Sequence, residues 1–63
     1  MLIKILNANS EVQLDSWQVG ATYPLPNVGD RVKTSGGLLC EVRSRVFKKD
    51  VIVLYVDWLW DLG

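Results

Sequence analysis

The chain has 63 residues, with seven basic and seven acidic side chains, 49% hydrophobic residues, no histidine and one cysteine, Cys40. This length fits a single domain, residues 1–63, and the apolar content is too high for a disordered chain. The missing histidine and the lone cysteine exclude a disulfide framework, a Cys/His zinc site and a His-based catalytic triad.

The composition also predicts a cytoplasmic location. A single unpaired cysteine fits a reducing compartment. No apolar run reaches the ~18 residues of a membrane span. The start of the chain lacks the basic segment and long apolar stretch of a signal peptide.

The zero net charge conceals a basic middle between two acidic ends. Residues 31–49 carry six basic side chains against Glu41, a net charge of +5, whereas residues 1–30 carry −2 and residues 50–63 carry −3. A chain with this distribution can meet an acidic partner or pair head-to-tail with another copy of itself.

Two strands are predicted before the first proline. Residues 2–6 alternate weakly between apolar and polar side chains and form the first. Residues 11–19 change phase at residues 15–16, as a bulged strand does. A helix is the alternative for this segment, because Ser10 and Gln13 have the spacing of a capping box.

Glycine and proline mark the next loops. Residues 20–29 contain two prolines and two glycines and predict a crossing loop, packed on the surface through its tyrosine and leucine. A tight turn at residues 27–30 starts a short strand over 31–33, and the Gly-Gly pair in residues 34–37 forms the next turn.

The clearest predicted strand covers residues 38–47, where small or apolar side chains alternate with charged ones. The side chains predicted to face the core are those of Cys40, Val42, Ser44 and Val46, and those predicted to face solvent are Glu41, Arg43 and Arg45.

A three-residue turn then leads to a strand over residues 51–56, which is apolar on both faces. In this register Val42 opposes Val56 inside, and Arg43 forms a cation–π pair with Tyr55 outside. Residues 57–61 form a last short strand or a 3₁₀ turn followed by one.

The predicted fold class is therefore all-β, a small five-stranded barrel with at most a short 3₁₀ turn. Closing such short strands into a barrel removes exposed sheet edges. The long connection between the second and third strands, followed by two tight hairpins, suits an SH3-like barrel.

Residues 28–33, Val-Gly-Asp-Arg-Val-Lys, resemble the strand start of SH3-like barrels such as KOW-type modules, in which a Gly-Asp turn opens a strand. Residues 40–56 resemble short uncharacterised proteins of phages and bacterial mobile elements. Together the resemblance covers residues 24–57. It implies an accessory protein, or an inhibitor of a host system, in the cytoplasm of a bacterial or phage-infected cell.

Residues 29–32, Gly-Asp-Arg-Val, also resemble the opening of type II dihydrofolate reductase, an SH3-like chain that works as a tetramer around a central pore. That enzyme's pore carries Val-Gln-Ile-Tyr, whereas the corresponding residues 52–55 here are Ile-Val-Leu-Tyr. An oligomeric reductase therefore ranks last among the functions considered.

No site for catalysis, a cofactor or a metal ion is predicted. Asp30 and Asp50 lie at turns, where aspartate is expected for backbone reasons, and no pair of carboxyl groups shows signs of shared burial. Cys40 shares the parity of the predicted core and has no histidine to activate it, so we interpret it as a core residue. These patterns predict a non-enzymatic binding module.

The predicted partner is a protein, because exposed Trp, Tyr and Arg side chains dominate protein interfaces. The residues assigned to partner binding are Arg43, Arg45, Tyr55, Trp58 and Trp60. The two tryptophans share one parity, so they either close the barrel or form an interface with a partner or with a second copy. No contact with a membrane is expected.

Nucleic acid is the alternative partner. The basic residues that would contact phosphates are Arg31, Lys33, Arg43, Arg45 and Lys48. Tyr55 could stack on a base beside them. The sequence pI of about 6.0 is low for a nucleic-acid module of this size, and a plain solvated face also accounts for the basic stripe.

Overall fold

One strongly curled mixed sheet forms a half-barrel in the computed structural model, which describes the backbone of residues 1–61 and the side chains of residues 1–59. The described strands are β1 (Leu2–Asn7), β2 (Gln13–Gln18), β3 (Arg31–Lys33), β4 (Leu38–Phe47) and β5 (Val51–Asp61). No helix occurs within residues 1–61. The predicted all-β class with five strands is confirmed.

The strand order β2-β1-β5-β4-β3 places β5 at the centre of the sheet. β1 runs parallel to β5, and the other neighbouring pairs are antiparallel. This central position explains why β5 is apolar on both faces: the adjacent side chains Val53 and Leu54 are both buried. The core cluster on the concave side consists of Ile3, Ile5, Val32, Cys40, Val42, Ile52, Leu54 and Val56.

The segment with the strand–helix ambiguity is a strand, β2. Ile5 of β1 lies opposite Asp15, and Leu6 lies opposite Gln13, so Leu14 is an extra residue in the ladder. The change of phase is therefore present, one residue before the predicted position. Leu14 packs against the core cluster as a result.

The predicted three-residue turn between β4 and β5 is wrong. The Lys48 N–H donates a hydrogen bond to the Val51 carbonyl at 2.8 Å, which leaves two residues at the tip. Phe47 consequently lies opposite Ile52. Two residues is the shortest of the common loop lengths in β-hairpins.

Arg43 is the extra residue at which two registers of this hairpin meet. Val42 lies opposite Val56, as predicted, but the next paired residue, Ser44, lies opposite Tyr55. Arg43 therefore has no partner across the ladder, and the predicted cation–π pair with Tyr55 is wrong.

The shift at this bulge exchanges the two faces of β4, because side chains alternate along a strand. Ser44 and Val46 were predicted to face the core, but they lie on the outer side, and Val46 is 39% exposed. Arg45 was predicted to face solvent, but it lies opposite the buried Leu54, on the concave side. The predicted inward orientation of Cys40 and Val42, before the bulge, is confirmed.

β5 continues through residues 57–61, so of the two alternatives for that segment the strand is formed, as a continuation of β5, and the 3₁₀ turn is not. β1 accompanies β5 as far as Val56, and the Ala8 N–H donates to the Val56 carbonyl at 2.8 Å. Beyond this point β5 pairs with β4 only. Leu59 is an extra residue there, because Trp58 lies opposite Cys40 and Trp60 opposite Leu39.

The turn at residues 27–30 has the geometry that its sequence predicts. The Asp30 N–H donates to the Asn27 carbonyl at 2.9 Å, and Gly29 has a φ angle of +94°. Gly29 is the third residue of this four-residue turn, and only glycine adopts such an angle there without strain.

We expect Gly29→Ala to lower the free energy of unfolding by about 1 kcal/mol, because the alanine would be held at a positive φ angle. No atom lies within 4 Å of the added Cβ, so the loss would report backbone strain alone. Gly20→Ala is the matched control. Its Cβ also meets open space and its φ is not positive, so it should leave stability unchanged or raise it slightly. Equal losses in urea denaturation of the two variants would contradict this account.

Candidate functional site

Arg43 lies on the outer side of the sheet between two carboxylates. Its Nε is 3.0 Å from Asp57 Oδ2, and its Nη1 is 3.5 Å from Glu41 Oε2. Asp57 Oδ1 also accepts a hydrogen bond from Asn9 Nδ2 at 3.3 Å. The charge of Arg43 is thus balanced within the domain.

Arg45 lies on the concave side. Its Nη1 donates to the Pro26 carbonyl at 3.4 Å, and its guanidinium carbon is 5.4 Å from the centroid of the Phe47 ring. The bulge at Arg43 therefore separates two arginines that the sequence pattern had assigned to one surface.

The aromatic residues assigned to partner binding are also spread over the molecule. Tyr55 is half-buried on the outer side, between Leu6 of β1 and Ser44 of β4. Trp58 is 57% exposed, because β5 has lost its β1 neighbour at this level. The Trp60 side chain lies outside the described residues.

An open groove of about 590 Å³ borders β3. Its walls are Trp17 from β2, the loop segment 23–27, Asp30 and the three residues of β3. The apolar lining consists of Trp17, Tyr23, Pro24, Leu25, Pro26 and Val32. β2 and β3 are the two edge strands of the described sheet. We call this groove the seam groove, because it borders the edge strand β3. The tyrosine–proline segment was predicted as a surface loop, but no local sequence pattern indicates the groove.

The backbone of β3 presents hydrogen-bonding groups to the seam groove. Thr34 N–H donates to the Leu38 carbonyl and Val42 N–H donates to the Asp30 carbonyl, both at 2.9 Å. Even-numbered residues therefore pair with β4. Since antiparallel hydrogen bonds alternate, the N–H and C=O groups of Arg31 and Lys33 point away from β4.

One carboxylate fixes the wall of the groove at Trp17. Asp15 Oδ2 accepts hydrogen bonds from Ser35 N, Ser35 Oγ and Trp17 Nε1, each at 2.8 Å. Asp15 Oδ1 accepts another from Ser16 N at 2.8 Å. We call Asp15, Trp17 and Ser35 the Asp15 clasp, because it joins β2 to the turn after β3.

The donors of the clasp stabilise the charged form of Asp15. The Ser35 backbone N–H has the largest effect. The Ser35 hydroxyl, the Trp17 indole and the Ser16 N–H add to it, and together they outweigh partial desolvation and lower the pKa from 3.8 to about 2. The carboxyl group of Asp15 is therefore fully ionised at neutral pH.

The opposite wall of the groove is tied to β4. The Gly29 N–H donates to the Val42 carbonyl at 2.9 Å, and Asp30 Oδ2 accepts from Asn27 N at 2.8 Å. Arg45 holds the Pro26 carbonyl from the same side. The loop is thus held in place by contacts at several points, and the groove is pre-formed.

Two of the five basic residues considered for nucleic-acid binding lie together. Arg31 and Lys33 are exposed at the edge of the seam groove. Lys48 lies at the β4–β5 hairpin beside a separate cavity of about 270 Å³, which Met1 also lines. The structure does not gather all five into one stripe, since Arg43 and Arg45 occupy opposite faces.

Cys40 is fully buried in the core cluster, as predicted, and burial raises the pKa of its thiol. In the described residues, no group of three or more metal-ligating side chains lies close enough to hold a metal ion. Residues 1–61 contain no helix that could span a membrane.

Comparison with known proteins gives no match among family models, curated proteins or solved structures.

Proposed function

We propose that the protein is a non-catalytic binding module that holds a segment of a partner protein in the seam groove. The observation that carries this proposal is the groove itself. It combines aromatic and proline walls with the outward backbone groups of an edge strand. Its volume lies within the range of about 300–1,000 Å³ typical of ligand sites, and its open shape suits a chain segment better than an enclosed small molecule.

The energetics of such a groove favour binding. Tyrosine and tryptophan contribute large contact areas with few rotatable bonds, and they are common among interface hot spots. The Asp15 clasp and the hydrogen bond from Arg45 to Pro26 hold the walls before the partner arrives. Little ordering entropy is then lost on binding, which improves affinity.

A protein partner is favoured over nucleic acid by the contacts of two of the three arginines, Arg43 and Arg45. Arg43 is occupied by two carboxylates, and Arg45 by a carbonyl and an aromatic ring. A phosphate-binding stripe needs several uncommitted cations along one path. Binding through Arg43, Arg45, Tyr55, Trp58 and Trp60 stays a prediction, as does an accessory role in phages or mobile elements.

Selection of displayed random peptides on the immobilised protein tests the proposal. The selected peptides should perturb the amide resonances of residues 23–27 and 31–33 in the wild-type protein. Tyr23→Ala should weaken their binding about tenfold, the loss of one well-packed anchor. Tyr55→Ala is the matched control, because this tyrosine is also half-buried but lies on the outer side, and it should leave affinity unchanged.

Three outcomes would overturn this proposal. One is a selection that yields no binding peptide. Another is a set of peptides that perturbs the Trp58 end instead and depends on Tyr55. The third is displacement of the peptides by an oligothymidylate whose affinity falls steeply with salt, which would indicate a nucleic-acid site.

A further inference from the structure

The edge of β3 is a template for one more strand. Arg31 and Lys33 direct their N–H and C=O groups into the seam groove, while Val32 uses its own to pair with β4. An extended segment lying beside β3 can therefore exchange hydrogen bonds with the backbone of both outward residues. Edge strands commonly recruit peptides in this way.

The charges at this edge select the kind of segment. Arg31 and Lys33 are exposed on the outer side of β3. Glu41 lies opposite Arg31 on β4 but makes its ion pair with Arg43. Among the described side chains, neither Arg31 nor Lys33 forms an ion pair, so the edge presents two cations two residues apart.

The pleat of the sheet then fixes the pattern of the bound segment. Its residues opposite Arg31 and Lys33 place their side chains beside those cations, and opposite charges in such cross-strand positions are favourable. The residue between them is opposite Val32 and points to the concave side, towards the groove walls formed by Trp17 and Tyr23.

We propose that the seam groove binds an extended acidic segment that adds an antiparallel strand to β3, with acidic side chains at two alternate positions and an apolar side chain between them. This inference rests on the proposed function and names the class of partner. A second copy paired edge to edge through β3 is disfavoured, because the arginine and lysine of one copy would face those of the other.

Fluorescence anisotropy with labelled heptapeptides tests the charge pattern. A peptide with Glu-Val-Glu at its centre should bind about tenfold more tightly than one with Lys-Val-Lys. The double reversal Arg31→Glu/Lys33→Glu should invert this preference. Lys48→Glu/Lys49→Glu changes the net charge equally at a distant hairpin tip, and it should preserve the preference. All four positions are exposed, so the variants should fold.

Backbone methylation of the peptide tests strand addition itself. In an antiparallel pair, the two Glu residues opposite Arg31 and Lys33 direct their N–H groups to β3, and the central Val directs its N–H away. N-methylation of either Glu amide should weaken binding about tenfold, and N-methylation of the Val amide should have a much smaller effect.

The outcomes separate this inference from the proposed function. Selected peptides that occupy the groove but lack the alternating acidic pattern would overturn the inference and leave the proposed function standing. Equal effects of methylation at the Glu and Val amides would do the same. The absence of any peptide binding that depends on Tyr23 would overturn both, as would displacement by an oligonucleotide.

Discussion

Val42→Ala is expected to lower the free energy of unfolding by about 2 kcal/mol, while Val46→Ala lowers it by less than about 0.5 kcal/mol. Val42 is fully buried in the core cluster, so its truncation removes apolar contacts and leaves a cavity. Val46 lies beyond the bulge at Arg43, on the outer side, and is 39% exposed. The loss at Val42 would be a large part of the stability of a domain of this size.

Urea denaturation followed by tryptophan fluorescence measures both losses. The pair is a direct test of the bulge, because uninterrupted alternation along β4 would bury both valines and make both truncations costly. Similar losses in the two variants would therefore show that β4 is regular and that the described register is wrong.

Asp15→Asn is expected to lower the free energy of unfolding by about 1–2 kcal/mol at pH 7, after allowance for solvent screening of a partly exposed group. The folded pKa of about 2 lies below the ordinary value of 3.8, so the carboxylate contributes its full stabilisation above that ordinary pKa. This contribution is lost as the pH falls from about 4 towards 2. The difference between wild type and variant should shrink over that range.

Denaturant midpoints at pH 7, 4 and 2.5 measure this difference. Asp50→Asn is the control, because Asp50 is exposed at the β4–β5 tip, and its effect at pH 7 should stay within about 0.5 kcal/mol. A wild-type advantage over Asp15→Asn that is the same at pH 7 and pH 2.5 would contradict the assignment of the clasp to the charged carboxylate.

Local signals predicted the bounds of β3 and β4 and placed the turns between the strands. Residues 31–33 follow a turn that needs glycine, and residues 38–47 follow another. Alternation also identified Cys40 and Val42 as core residues. These features depend on neighbours in sequence, which is why they could be found without a structure.

The bulge depends on contacts that no local pattern contains. A two-residue tip fixes one register near Phe47, and pairing of Val42 with Val56 fixes another. Arg43 lies where they meet, and Asp57 and Glu41 hold its guanidinium outside. The faces of Ser44, Arg45 and Val46 were consequently predicted the wrong way round.

The candidate site was harder to predict than the fold, because a groove belongs to surfaces that meet in space. The sequence predicts that the segment containing Tyr23 lies on the surface, and Arg31 and Lys33 belong to its basic middle region. Only the strand order shows that β3 is an edge, and only the Asp15 clasp shows that Trp17 stands across from it.

The parallel pairing of β1 with β5 has a consequence for how the chain folds. Ile3 lies beside Ile52. The central strand β5 and its neighbour β1 therefore come from opposite ends of the described sequence. β1 cannot gain its central partner until residues 51–56 have left the ribosome. Closing so long a loop before its contacts form costs entropy and slows folding. We therefore expect the β4–β5 hairpin to form early and the docking of β1 to limit the refolding rate.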